Sequence, residues 1–118
     1  MPPIILIKRT YTEPSPTDGR RILIDRLWPR GLAKDKAAID EWAKELAPSN
    51  ELRKWFDHKS ELWKEFQKKY TAELKNNPAV KEFVTAHKKD KIITLLYAGK
   101  DEKHTHALVL KEFLNRLF

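Results

Sequence analysis

The stretch Ile92-Ile93-Thr94-Leu95-Leu96-Tyr97-Ala98 constrains the fold more than any other. Its residues are apolar almost without a break, so a strand here points apolar side chains at both faces of its sheet. A strand of that kind sits centrally, with cover on either side, as in α/β folds with parallel sheets.

Two further apolar runs can pair with it. Ile4-Ile5-Leu6-Ile7, followed by Lys8-Arg9, reads as a buried first strand. Arg20-Arg21-Ile22-Leu23-Ile24-Asp25 reads as a second strand with polar ends. Residues 10–19 between them contain Pro14, Pro16 and the pair Asp18-Gly19. Proline cannot donate to a ladder and Asp-Gly favours a turn, so this is a loop. It is too short for the helical crossover that parallel neighbours need. Antiparallel pairing is therefore open, as a hairpin across 10–19 or as neighbours in a mixed sheet.

After Gly31 the period changes. Ile39, Trp42, Ala43 and Leu46 fit helical spacing, but one turn of helix at 34–38 followed by an extended segment from Ile39-Asp40-Glu41-Trp42 is favoured. Ser49 suits the N-cap of a short helix at 50–56. Ser60 suits the cap of a longer one at 61–76, where Leu62, Phe66, Tyr70 and Leu74 recur every fourth residue. Asn76-Asn77-Pro78 ends that helix and opens another at 79–88, with Val80, Phe83 and Val84 on its apolar face. A last helix is expected at 103–117, with Ala107, Leu110, Leu114 and Leu117 inward. Trp42, Trp55, Trp63, Phe66 and Phe83 fall on these apolar faces and are expected in the core. The order of elements predicts one small α/β domain over 1–118. Its sheet would be short, mixed or mostly parallel, with three to four strands covered by helices.

Composition narrows the functional classes. A chain of 118 residues is one domain by size. It has no cysteine, which removes disulfides, thiolate zinc sites and cysteine nucleophiles. Met1 to Lys8 lacks the basic start and apolar length of a leader, and no apolar run approaches a membrane span. A cytoplasmic protein without a membrane partner is expected. The net charge of +7 permits nucleic acid or phosphorylated ligands as partners. The charges are mixed along the chain, however, and fit a solvated surface.

The densest chemistry lies in Asp25-Arg26-Leu27-Trp28-Pro29-Arg30-Gly31-Leu32, directly after the second strand. A second polar segment, Gly99-Lys100-Asp101-Glu102, directly follows the 92–98 strand. In open α/β sheets ligands bind beyond the carboxyl ends of the strands. If the two strands are parallel neighbours, Arg26, Arg30 and Lys100 converge there and can grip a phosphate or carboxylate. Asp101 is read as a helix N-cap or a proton-transfer group, and His104 as a capping or proton-transfer imidazole. Trp28 and Trp55 would form pocket walls. Arg26 could instead be a strut, ion-paired with Asp25, Asp40 or Asp101.

His104 and His106 cannot share a helix face, so no metal set is expected. His58 could close the short helix or reach the site. His87 ends a lysine-rich helix and is expected in solvent. There is no dinucleotide fingerprint, P-loop, H-E-x-x-H or G-x-S-x-G, so no cofactor is expected.

These residues also carry a resemblance. The run Ile22 to Gly31, the run Ala47 to Phe56, and Thr94 to Asp101 with His104 and Ala107 resemble the YeaO-like family within the domain-of-unknown-function 488 superfamily. The resemblance covers nearly the whole chain and implies a small α/β fold. It implies no established activity. Gly99 departs from it, since a second alanine is expected there; glycine would loosen the turn or admit a closer ligand.

The sequence thus favours a domain that binds, or binds and turns over, a small anionic or phosphorylated ligand at the carboxyl edge of its sheet. The alternatives are a nucleic-acid-binding module using the basic surface, and a structural or partner-binding protein.

Overall fold

The structure, a computed structural model, describes residues 2–118. Met1, the first residue of the stretch read for a leader, lies outside them. Four strands, β1 (Ile4–Arg9), β2 (Arg20–Leu23), β3 (Glu41–Trp42) and β4 (Ile92–Tyr97), form one sheet in the order β1-β4-β2-β3. Every pairing is parallel: Ile4 stands opposite Ile92, Arg20 opposite Ile93 and Ile22 opposite Glu41. The antiparallel options for the first two strands are overturned. β1 and β2 are not neighbours, because the last strand inserts between them.

The helices are α1 (Lys34–Ala37), α2 (Asn50–Phe56), α3 (Trp63–Lys75), α4 (Pro78–His87) and α5 (His106–Leu117). Ser49 caps α2 by accepting from Leu52 N–H, and Asn77 caps α4 by accepting from Ala79 N–H. Two expected boundaries move. Ser60 opens a 3₁₀ turn over Ser60–Leu62 rather than capping α3. α5 starts at 106, not 103, because Thr105 takes the cap by accepting from Ala107 N–H.

One face of the sheet presents Ile5, Ile22, Ile24, Ile93, Leu95 and Tyr97 to α2, α3, α4 and α5. Phe56, Phe66, Tyr70, Leu74, Phe83, Leu110 and Leu114 fill that layer. β4 is buried on both faces, as its composition demands. Its second face is covered mainly by irregular chain rather than by long helices. Residues 10–19 cross it from the end of β1 to the start of β2. Such a crossing brings polar groups over a buried face, where each needs a partner.

Asp18 supplies most of these partners. Its carboxylate accepts from Lys8 Nζ at 2.9 Å, Arg21 Nη1 at 2.5 Å and Ser15 N–H at 2.9 Å. Its carbonyl accepts from Thr94 Oγ1 on β4 at 2.6 Å. Arg21, also buried, donates onward to the carbonyls of Ala37 and Ala38 at 3.0 Å each, which ties in α1. Gly19 then enters β2 at φ 64°, where a Cβ would stand 2.3 Å from the Ile92 carbonyl oxygen, so only glycine fits.

Trp42 and Trp55 are each 37% exposed and are not core residues, contrary to the helical-face expectation. Trp42 lies on an edge strand and Trp55 at the outer side of α2, under Lys69 Nζ at 5.0 Å. His87 is likewise not in solvent. It is buried, with Nδ1 2.7 Å from Asp90 Oδ2 and Nε2 2.9 Å from Glu41 Oε1. The turn at 88–90 and the edge strand fold back over it.

Burial alone would raise the Asp18 carboxyl, but Lys8, the Ser15 N–H and Arg21 outweigh it and hold the pKa below the usual carboxylate value. A depressed carboxylate contributes stability above its unfolded pKa and loses it as pH falls through the folded one. Asp18→Asn leaves Arg21 buried without its counter-charge and should lower unfolding free energy by about 3 kcal/mol at neutral pH. Urea unfolding should show the difference between the two proteins shrinking below about pH 4.

Candidate functional site

β2 and β4 are adjacent and parallel, and their following segments leave toward opposite faces. The chain after β2 runs to α1, on the Arg21 face. The chain after β4 runs to α5, on the helical face. Divergence of this kind opens a crevice beyond the strand ends. A cleft of about 730 Å³ lies there. Its walls are residues 25–30 after β2, parts of the segment after β4 (Ala98, Gly99, Asp101 and 104–106), and segments of 47–58 around α2, with Tyr11 and Phe66 completing it.

Asp25 links the two strand ends. Ala98 N–H donates to its Oδ2 at 3.0 Å, directly beyond the ladder bond from Ile24 N–H to the Leu96 carbonyl. His106, the first residue of α5, closes the same corner. Its Nε2 is 3.0 Å from the Ile24 carbonyl and 3.4 Å from Asp25 Oδ1. A carbonyl can only accept, so Nε2 carries the hydrogen. Burial pushes the His106 pKa below its ordinary value, against the attraction of Asp25. Burial also pushes the Asp25 carboxyl up, against His106 and the Ala98 N–H.

Arg26 makes none of the expected ion pairs. Its Nε and Nη2 donate to the carbonyls of Pro48 and Ala47, each at 3.1 Å. Those carbonyls stand on a rigid support. Tyr70 O–H donates to the Leu46 carbonyl at 2.5 Å, Glu73 accepts from both Ser49 N–H and Ser49 Oγ, and Asn77 Nδ2 donates to the Glu45 carbonyl. Arg26 therefore clamps the β2 loop to the α2 side of the cleft. Two of its donors are spent on this.

Trp28 is fixed by an Nε1 bond to the Leu32 carbonyl at 2.9 Å and by an edge contact with Trp42, and it lines the cleft. Trp42 in turn donates to the Asp25 carbonyl at 2.7 Å. Arg30 is anchored through its backbone, whose carbonyl accepts from Tyr11 O–H at 2.8 Å. Its side chain reaches the cleft without an ion pair among the described residues.

Asp101 and His104 also line the cleft. His104 Nδ1 donates to Asp101 Oδ2 at 2.7 Å, which leaves Nε2 as the acceptor of the neutral ring. The ring edge meets Trp63 at 5.5 Å between centroids. The His104 ring and the Lys103 and His104 N–H groups together hold the Asp101 carboxyl below its usual pKa. Asp101 heads this turn; it does not cap α5.

Lys100 and Trp55 stand apart: both are exposed, and neither lines the cleft. Arg53, not singled out from sequence, lines it, as do Asp25, read there only as an ion-pair partner of Arg26, and His106, weighed only as a metal ligand. Arg53 projects from α2, with Nη1 3.2 Å from Asn50 Oδ1. Its signal was its place one turn after the Ser49 cap. Asp57 and His58 form the cleft rim at φ 46° and 56°. These are left-handed positions that Asp and His tolerate better than most residues. His58 thus turns the chain after α2 and reaches the cleft. Among the described residues no cluster of His, Asp and Glu has the geometry of a metal site.

Two measurements check this geometry. Arg26→Ala removes donors from two carbonyls and should destabilise the fold by about 1–3 kcal/mol in chemical denaturation. His106 should titrate below pH 6.5 in imidazole NMR shifts, and Asp25→Asn should move that transition further down, because the Asp25 charge supports the imidazolium.

A family model described as the "Inactive DUF488-N3 subclade" matches residues 4–118. The chain is 42% identical over 113 residues to the uncharacterized protein YeaO of Escherichia coli (strain K12), covering 96% of this chain and 98% of that one. It is 36% identical over 111 residues to the uncharacterized protein Rv3073c of Mycobacterium tuberculosis (strain ATCC 25618 / H37Rv), covering 94% and 93%. The uncharacterized protein Mb3100c of Mycobacterium bovis (strain ATCC BAA-935 / AF2122/97) matches to the same extent. No solved structure gives a significant match. Among the described residues no helix is long and apolar enough to cross a membrane. The family match across nearly the whole chain, with relatives matched almost end to end, makes this protein a member of the DUF488 superfamily, in its YeaO-like branch.

Proposed function

We propose that the cleft at the carboxyl ends of β2 and β4 binds a small anionic, phosphate-bearing ligand. The observation that carries this reading is the set of cations along one cleft. Arg26, Arg30, Arg53 and Lys54 line it, and neither Arg30 nor Lys54 has an ion-pair partner among the described residues. Of the three carboxylates along it, Asp101 is engaged by His104, Asp25 accepts from Ala98 N–H through Oδ2, and Asp57 stands at the rim. Guanidinium groups held on a capped helix and an anchored loop suit phosphate oxygens.

Arg53 and Arg30 would grip the anion, and Arg26 would position the wall while offering its remaining donors. Trp28 would bound the ligand laterally. The Asp101–His104 pair, with Nε2 of His104 left as acceptor, is the group suited to proton transfer if a bound ligand is turned over. The family model's description as an inactive subclade agrees with binding as the primary role. Lys100 and Trp55 are not carried into this reading, because they do not line the cleft.

Calorimetric titration with inorganic phosphate and pyrophosphate is the direct test. Arg53→Ala and Arg30→Ala should each weaken binding about tenfold, the loss of one charge-assisted contact. Lys100→Ala and Trp55→Ala should leave it unchanged. No binding at millimolar phosphate or pyrophosphate would sink the reading. Binding of a single-stranded oligonucleotide that falls steeply with salt, and is indifferent to Arg53, would favour a nucleic-acid module instead.

A further inference from the structure

We propose that the cleft receives the phosphorylated end of a single-stranded nucleic acid, with a neighbouring base of the strand lying on Trp42. This rests on the anion-site reading and adds a second recognition surface to it. The surface is the Trp28–Trp42 pair. Trp28 lines the cleft, and Trp42 stands just outside it, with 5.5 Å between ring centroids and 74° between the rings. Both indoles are held in place. Trp42 Nε1 donates to the Asp25 carbonyl at 2.7 Å, and Trp28 Nε1 to the Leu32 carbonyl at 2.9 Å. Trp42 is nevertheless 37% exposed, on the edge strand β3. A ring that is both held and open loses little freedom when a flat group stacks on it.

Each indole also carries a cation. Lys44 Nζ lies 5.0 Å from the Trp42 centroid, and Lys34 Nζ 5.8 Å from that of Trp28. Neither lysine has an ion pair among the described residues. Of the acids nearby in the chain, Glu41 pairs with His87, and Asp40 accepts from Arg21 N–H. Asp35 and Glu45 are exposed, so the cationic excess is modest and suits a few phosphates rather than a long tract. Cations and rings thus alternate from the edge strand into the cleft, where Arg30 and Arg53 stand. A single strand is the ligand in which flat rings alternate with anions in the same way. A base stacks on Trp42 and displaces Lys44, because a stacked base outweighs a lysine over an exposed ring. Lys44 and Lys34 then meet backbone phosphates, and the terminal phosphate reaches Arg30 and Arg53. A duplex keeps its bases stacked on one another and cannot use the ring. A singly phosphorylated peptide brings one anion and leaves both lysines unanswered.

The test is calorimetry on the full chain at one ionic strength, with inorganic phosphate and an oligothymidylate of about five nucleotides. The strand carries a 5′-phosphate, a 3′-phosphate or hydroxyls at both ends. A phosphate-ended strand should bind about tenfold tighter than either inorganic phosphate or the hydroxyl-ended strand, and the better arm identifies the end. Trp42→Phe and Trp42→Leu both lose the bond to the Asp25 carbonyl, but only phenylalanine keeps a ring. Leucine should therefore cost the strand about tenfold more affinity than phenylalanine does. The ligand comparisons need no variant, so they decide the matter even if neither variant folds. The strand assignment falls, and the anion site stands, if the phosphate-ended strand binds no tighter than inorganic phosphate. It falls in the same way if an end-phosphorylated duplex or a phosphoserine peptide matches the strand, or if the two Trp42 variants lose affinity equally. A strand that binds equally well with hydroxyl ends and is indifferent to Arg53→Ala overturns both readings. Both also fall if neither phosphate nor any strand binds.

Discussion

The site depends on one hydrogen bond, from Ala98 N–H to Asp25 Oδ2 at 3.0 Å. It extends the β2–β4 ladder one step past its last regular pairing and forces two divergent loops to start from a common point. Two of the cleft's walls start from that point. Arg26 and Trp28 lie one and three residues beyond Asp25, and His104 and His106 lie just beyond Ala98. His106 donates into the same corner through the Ile24 carbonyl. The corner combines a half-buried carboxylate with a half-buried imidazole, and loss of solvent shifts both toward their neutral forms.

A parallel β4 between β1 and β2 is made possible on the opposite face. The crossing at 10–19 has no regular structure beyond a 3₁₀ turn at Pro16–Asp18, yet it lies over a fully buried strand. Asp18 compensates the buried backbone and cations at once, by joining Lys8, Ser15, Arg21 and Thr94. A short connection can then do what usually takes a helix. On the helical face the equivalent device is α3, where Tyr70 and Glu73 hold the carbonyl-bearing segment that Arg26 grips. Scaffold and site thus share the same polar anchors.

Much of this was legible in the residues. Continuous apolarity at 92–97 marked the central strand, and the Ser49 and Asn77 caps placed two helices, because capping and strand burial are local properties. The convergence of the segments after Ile24 and Tyr97 also followed, once parallel adjacency was assumed. What could not be read was pairing order. Nothing in residues 10–19 shows that they cross a strand arriving more than 70 residues later, and the proline-rich loop looked like a hairpin connection. The misplaced tryptophans have a similar cause. Helical spacing gives a face, but only the neighbours decide whether that face is covered.

By itself, the sequence determined the class of fold, the family, and the two polar segments that follow the second and last strands. These follow from composition and short-range pattern, which act within a few residues. The tertiary structure alone decided which side chains in those segments face one another. It turned Arg26 into a clamp on two carbonyls, left Lys100 and Trp55 outside the cleft, and brought Arg53 and His106 in. The physical reason is that hydrogen-bond partners such as Ala98 for Asp25, 73 positions apart, are selected by sheet order. Sheet order depends on contacts between distant parts of the chain.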